Sequence, residues 1–158
     1  MSIRINKEKI KTYAVSILIP LILGGIVGLL TTRTMHYDDL NKPFLSPPAI
    51  LFPIVWTLLY ILMGYSHGFL QWNRLSTQDT ETVYYAQLIV NLIWPILFFS
   101  LQWRLFAFIW IILLDILVIL MAIRFSRRDQ TAGYLQIPYC LWVLFASYLN
   151  LATFLLNR

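Results

Sequence analysis

Four stretches of this chain contain no Asp, Glu, Lys or Arg: residues 12–32, 43–73, 82–103 and 130–157. A fifth, 105–123, contains one, Asp115. A helix that crosses a bilayer needs about 20 mostly apolar residues, and each of these runs is long enough. A soluble amphipathic helix would instead carry charged or polar residues along one face. Composition agrees, with 59% hydrophobic and 12% charged residues against about 25% charged in soluble domains. The sequence therefore predicts an all-α membrane protein, a five transmembrane helix bundle forming a single domain over 1–158. The spans are expected at about 12–32, 49–72, 83–101, 105–123 and 133–156. The alternative count is four, with one run lying in the interface.

The net charge of +5 follows the membrane and does not signal nucleic acid. Arg4, Lys7, Lys9, Lys11, Arg74, Arg124, Arg127 and Arg128 fall in the N-terminal tail and in the segments after spans two and four. Only Arg33, Lys42, Arg104 and Arg158 fall on the other side. Cytoplasmic segments carry the excess of Lys and Arg, so the N-terminus is expected inside and the C-terminus outside. No small-residue cleavage site follows span one, which is read as uncleaved. Residues 1–11 read as a short basic tail, a topology signal that could also hold anionic headgroups. Cys140 is the single cysteine, and His36 and His67 are the two histidines. No metal-ligand cluster results, and no metal or cofactor is expected.

Within span one, Gly24 and Gly28 have the small-xxx-small spacing of closely packed helices. They suit either a dimer face or packing inside the bundle. Pro20 is a candidate kink. The segment 33–49 holds Pro43, Pro47 and Pro48, so it should be semi-rigid, as a lid over a pocket or as a connector. Residues 73–82 and 124–131 are read as connecting loops. No internal repeat is seen, which weighs against inverted-repeat transport folds.

Trp72 and Trp103 fall at span ends, where the aromatic belt sits. Trp56, Trp94 and Trp142 lie nearer span interiors. Helical spacing groups them with neighbours: Trp56, Tyr60, Gly64 and His67 in span two; Asn91, Trp94 or Pro95, and Phe98 in span three; Tyr139, Trp142, Ala146 and Asn150 in span five. Polar groups inside a bilayer face the bundle interior. If the three stripes converge, they form an aromatic pocket with a few polar tips, suited to a flat hydrophobic ligand. They could equally interlock as core packing. Asp115 is a candidate proton site, ligand contact or hydrogen-bond anchor. No catalytic triad spacing or phosphate loop is present.

These residues resemble the translocator-protein family, also called tryptophan-rich sensory proteins (TspO/MBR). The match is carried by Leu40-Asn41-Lys42-Pro43, Ser46-Pro47-Pro48, Val55-Trp56-Thr57, Leu59-Tyr60 and Met63-Gly64. It continues through Asn91, Trp94-Pro95 and Phe98-Phe99, then Pro138-Tyr139, Trp142-Val143, Phe145-Ala146 and Leu149-Asn150. Departures are His36 before Tyr37, Leu45, Ala49 and Pro53-Ile54. The resemblance implies a five-helix bundle, often a homodimer, in contact with membrane lipid and with a ligand pocket under the first loop. It implies a tetrapyrrole such as protoporphyrin IX as ligand and puts Trp56, Asn91, Trp94 and Trp142 on functional positions, to which the spacing stripes add Tyr60, Phe98, Tyr139, Ala146 and Asn150 as expected contacts. A porphyrin-binding sensor is the leading expectation. Light-dependent porphyrin degradation, with Trp56 and Trp142 as the reactive residues, is the alternative, and transport of a small hydrophobic solute is another. A bacterial cell membrane is the expected location.

Overall fold

A computed structural model describes residues 2–158, with side chains from Arg4 onward. It contains α1 (Ser2–Thr32), α2 (Leu51–Trp72), α3 (Gln78–Pro95), α4 (Arg104–Arg128), α5 (Gln130–Tyr134) and α6 (Ile137–Leu156), with no strand among the described residues. A π-helical turn, Ile96–Ser100, prolongs α3. Five helical segments are long and apolar enough to cross a membrane, α5 and α6 together forming the fifth. An odd number of spans sets the two termini on opposite sides.

Three boundaries differ from the sequence reading, each for a local reason. The basic tail is helical and continuous with span one. Its Lys, Glu, Arg and Ile are compatible with helix, and no Gly or Pro occurs before Pro20, which sits inside α1 without ending it. The 73–82 loop ends early because Thr77 caps α3: its side chain accepts from the Thr80 N–H, and the Thr80 hydroxyl accepts from the Thr77 N–H. That reciprocal cap satisfies two orphan donors at once. In the 124–131 segment, α4 runs on to Arg128, with Arg127 and Arg128 in its last turn, where cations favour the helix dipole. Asp129 then caps α5 through Thr131 and Ala132.

The bundle is held along inward seams. In α4, Ala107, Ile111, Leu114, Val118, Met121 and Phe125 recur every three or four residues, each 0% exposed. The opposite face shows Ile109, Ile112, Leu113, Ile116, Ile119 and Ile123 to the surroundings. An exposed face this apolar fits lipid, not water. Helix α1 packs on α2, and α4 packs between α3 and α6. Gly64 of α2 permits the α1 contact: a Cβ there would lie 2.6 Å from the Ile17 Cα, a backbone atom that has nowhere to move.

The first loop is braced within itself and tied at two points to α6 and its C-terminal cap. The Tyr37 hydroxyl donates to the Pro47 carbonyl, and the Tyr148 hydroxyl donates to the Phe44 carbonyl. Asn41 and Asn157 exchange two hydrogen bonds, at 2.9 and 3.0 Å. Strapped in this way, the loop lies at the α1/α2 end of the bundle and forms one edge of the principal cavity.

Candidate functional site

The principal cavity, 600 Å³, lies between α1, α2 and α3. Helix α2 supplies Phe52, Pro53, Trp56 and Tyr60, and α3 supplies Trp94, Pro95 and Phe99. Helix α1 supplies a smooth wall through Gly24, Gly25 and Gly28, and Met35, Ala49 and Ile50 of the loop end border the mouth. Small-molecule pockets usually measure about 300–1,000 Å³ and are mostly apolar with a few polar groups, and this one fits both descriptions.

The glycines of α1 have distinct roles. A Cβ on Gly24 would run into the Tyr60 ring, so Gly24 is where α1 receives α2. At Gly25 and Gly28 a Cβ would meet nothing within 4 Å. These two positions keep the chamber open. The small-xxx-small signal was visible in the sequence, but spacing alone does not separate helix contact from cavity wall.

Behind the wall run two polar chains that together link four helices. The Tyr60 hydroxyl donates to Asn91 Oδ1 at 3.0 Å. Asn91 Nδ2 donates to the Tyr139 hydroxyl, which donates in turn to Gln87 Oε1 at 2.7 Å. Trp94 Nε1 donates to Asn150 Oδ1 at 2.9 Å, and Asn150 Nδ2 donates to the Arg104 carbonyl at 2.9 Å. Each of these groups would be costly in hydrocarbon without a partner. Paired, they fix the register of α2, α3, α4 and α6.

Of the nine residues expected to gather at one site, Trp56, Tyr60 and Trp94 line the cavity. Asn91, Tyr139 and Asn150 are buried behind it in the polar chains. Phe98 stacks on Trp94 with ring centroids 5.4 Å apart, and Ala146 is buried in the core. Trp142 lies elsewhere: it borders a separate 380 Å³ groove between α2 and α6, with Leu58, Leu62 and Leu141. Its indole N–H is buried without a protein partner among the described residues. Between Trp142 and the cavity stands Phe52, edge-on to Trp142 at 6.1 Å and to Tyr37 of the first loop at 5.5 Å. Periodicity could not reveal this partition, because it depends on how α2 and α6 face each other.

The other singled-out polar residues lie outside the cavity. Asp115 accepts from the Ser147 hydroxyl at 2.6 Å and joins α4 to α6. His67 stacks on Tyr84, centroids 3.9 Å apart, and meets both oxygens of Glu81 at 3.0 and 2.9 Å. No group of three or more potential metal ligands occurs among the described residues.

The model of the TspO/MBR family matches residues 16–156. The tryptophan-rich protein TspO of Archaeoglobus fulgidus is 41% identical over 150 residues, covering 90% of this chain and 94% of that one. Its counterpart in Chlorobaculum tepidum is 36% identical over 157 residues, covering 96% and 99%. The tryptophan-rich sensory protein of Cereibacter sphaeroides is 34% identical over 131 residues, covering 82% of each chain.

Proposed function

This chain belongs to the TspO/MBR family, and on that footing we propose that it is a membrane sensor whose α1/α2/α3 cavity binds a flat tetrapyrrole such as protoporphyrin IX. The observation that carries the reading is the cavity's shape: a glycine-smooth wall on α1 faces the aromatic wall of Trp56, Tyr60 and Trp94. A planar macrocycle stacks on such rings, and aromatic pairs contribute about 0.5–1.5 kcal/mol beyond burial. The Thr31 and Thr32 hydroxyls near the mouth already donate to carbonyls of α1, yet each keeps lone pairs for an incoming donor.

The test is a titration of the detergent-purified chain with protoporphyrin IX in the dark. Trp56→Phe is expected to weaken binding two- to tenfold, the worth of about 0.5–1.5 kcal/mol of ring contact. Trp103→Phe, at an exposed residue outside the cavity, is expected to leave it unchanged. Equal affinities in all three proteins would remove the cavity from the account.

Phe52 sharpens the same reading. In the native chain, Trp142→Phe is expected to alter affinity by less than about twofold, because Trp142 lies outside the cavity behind Phe52 and substitutions away from a site change little. In a Phe52→Ala background the partition is gone, and the same Trp142 substitution is expected to weaken binding. A strong Trp142 effect in the native chain would mean that the ligand displaces Phe52 on entry.

A second reading, light-driven oxidation of the porphyrin with dissolved dioxygen as the oxidant, is favoured by one feature. Trp56, at the cavity wall, packs against Tyr60 at 5.7 Å and Tyr139 at 6.2 Å between centroids, a row of oxidisable rings beside the ligand. Illuminated complexes should then bleach faster than porphyrin in detergent alone and lose that excess in Trp56→Phe. Equal bleaching rates would leave binding as the whole function.

A further inference from the structure

A second cavity, 480 Å³, opens where the α3–α4 turn, the start of α4 and the end of α6 meet, and it is lined by Trp103, Arg104, Phe106, Ile109, Phe154 and Arg158 among others. It shares no residue with the tetrapyrrole cavity. Its chemistry is layered. Arg104 and Arg158 bring two cations to the bundle end, while Phe106, Ile109 and Phe154 continue along the lipid-facing surface. Trp103 is 57% and Ile109 60% exposed, and α4 carries on below them with the exposed Ile112, Leu113 and Ile116.

No acidic side chain lines this cavity. The acids of the nearby first loop are engaged elsewhere: Asp38 pairs with Lys42 at 2.9 Å, and Asp39 lies 3.6 Å from His36. Arg104 Nε is buried and has no hydrogen-bond partner among the described residues. Nε is closed off by the protein itself, so the groove offers the terminal guanidinium nitrogens, whose planar fork matches phosphate oxygens in a two-pronged contact. The start of α4 at this point adds the favourable end of its dipole.

We propose that this groove binds an anionic phospholipid, with Arg104 on the headgroup phosphate, Arg158 beside it, and an acyl chain lying over Phe106 and Ile109. A free phosphate would satisfy the arginines and leave the aromatic and aliphatic half of the groove unused. A lipid uses both, and Trp103 marks the headgroup level at which they meet.

The full chain is reconstituted in phosphatidylcholine vesicles containing lipids brominated on their acyl chains, with either a phosphatidylglycerol or a phosphatidylcholine headgroup. Trp103 emission is taken as the difference between the native chain and Trp103→Phe. Brominated phosphatidylglycerol is expected to be enriched roughly fivefold over brominated phosphatidylcholine at this site, the effect of about one interfacial cation. Arg104→Gln should abolish the preference, Arg104→Lys should keep part of it, and Arg74→Gln at the opposite end should leave it intact. The Asn150 contact runs to the Arg104 main chain and survives these changes. Equal quenching by the two headgroups, or a preference indifferent to Arg104→Gln, would overturn the proposal. Competition by soluble glycerol phosphate would do so too, since it would identify a soluble anion as the occupant.

Discussion

Replacing Gly64 by alanine is expected to drive α1 away from α2 and to produce a large loss of thermal stability. The added methyl carbon would lie 2.5 Å from the Ser16 carbonyl oxygen and 2.6 Å from the Ile17 Cα. Both are backbone atoms of a helix, so no rotamer change relieves the clash. Overpacking of this kind costs about 1–3 kcal/mol, or roughly 2–12 °C of melting temperature in a chain of this size. Because the principal cavity is lined by the same two helices, the proposed binding should weaken with it. Gly25→Ala supplies the contrast: open space surrounds that position, and its melting temperature should be unchanged or slightly raised, alanine being the better helix former. Thermal unfolding of the two variants side by side checks the pair. Equal melting temperatures would mean that α1 and α2 are not held by this contact.

Asn91→Leu should have an effect of comparable size by a different route. Asn91 both accepts from Tyr60 and donates to Tyr139, so leucine leaves the buried Tyr60 hydroxyl without a partner and removes one of the two bonds of Tyr139, which keeps Gln87. An unsatisfied buried group costs about 1–3 kcal/mol. Hydrogen bonds between membrane helices average nearer 0.6 kcal/mol, because polar groups in the unfolded state also find partners. The sum expected for two bonds is therefore about 1–3 kcal/mol. Tyr60 forms the cavity's inner wall, and its release should lower porphyrin affinity as well. A double-mutant cycle of Asn91→Leu with Tyr139→Phe checks the mechanism. The two changes should be strongly non-additive, since each removes the same bond. Additive losses would mean that the polar chain does not act as a unit.

The five spans were legible because lipid imposes a single demand, the near-absence of charge, and the sequence meets it in four uncharged runs and a fifth that holds only Asp115. Span ends were less legible, since they depend on capping and on helical residues that water tolerates as well as lipid does. Thr77 and Thr80 form a reciprocal cap in which the third residue is threonine, not the usual glutamate or glutamine. Residues 124–128 look like loop by charge yet complete the last turns of α4.

The site was legible on one side only. The stripe Trp56–Tyr60 and the pair Asn91–Trp94 could be grouped by helical spacing, and their interlocking through hydroxyl and amide groups agrees with the need to pair polar atoms in a bilayer. Spacing does not tell which faces oppose each other. Of the small-xxx-small pair, Gly24 meets Tyr60 of α2 while Gly28 faces open space within the chain, as does Gly25. Tyr139 and Trp142 share a stripe on α6, yet Tyr139 sits in the polar chain while Trp142 borders the groove against α2. The direction of α6 is set where α5 ends and Gln136 starts the next helix, a tertiary feature that no local pattern encodes.

The most direct test of the tetrapyrrole account is the dark titration with protoporphyrin IX repeated on Gly28→Leu, whose side chain would project into the open cavity without touching the helix contacts. The account predicts saturable tryptophan quenching in the native chain and its loss in Gly28→Leu, with the melting temperatures of the two proteins alike. Saturable quenching of equal affinity in both would contradict it, because the ligand would then be bound somewhere other than between α1, α2 and α3.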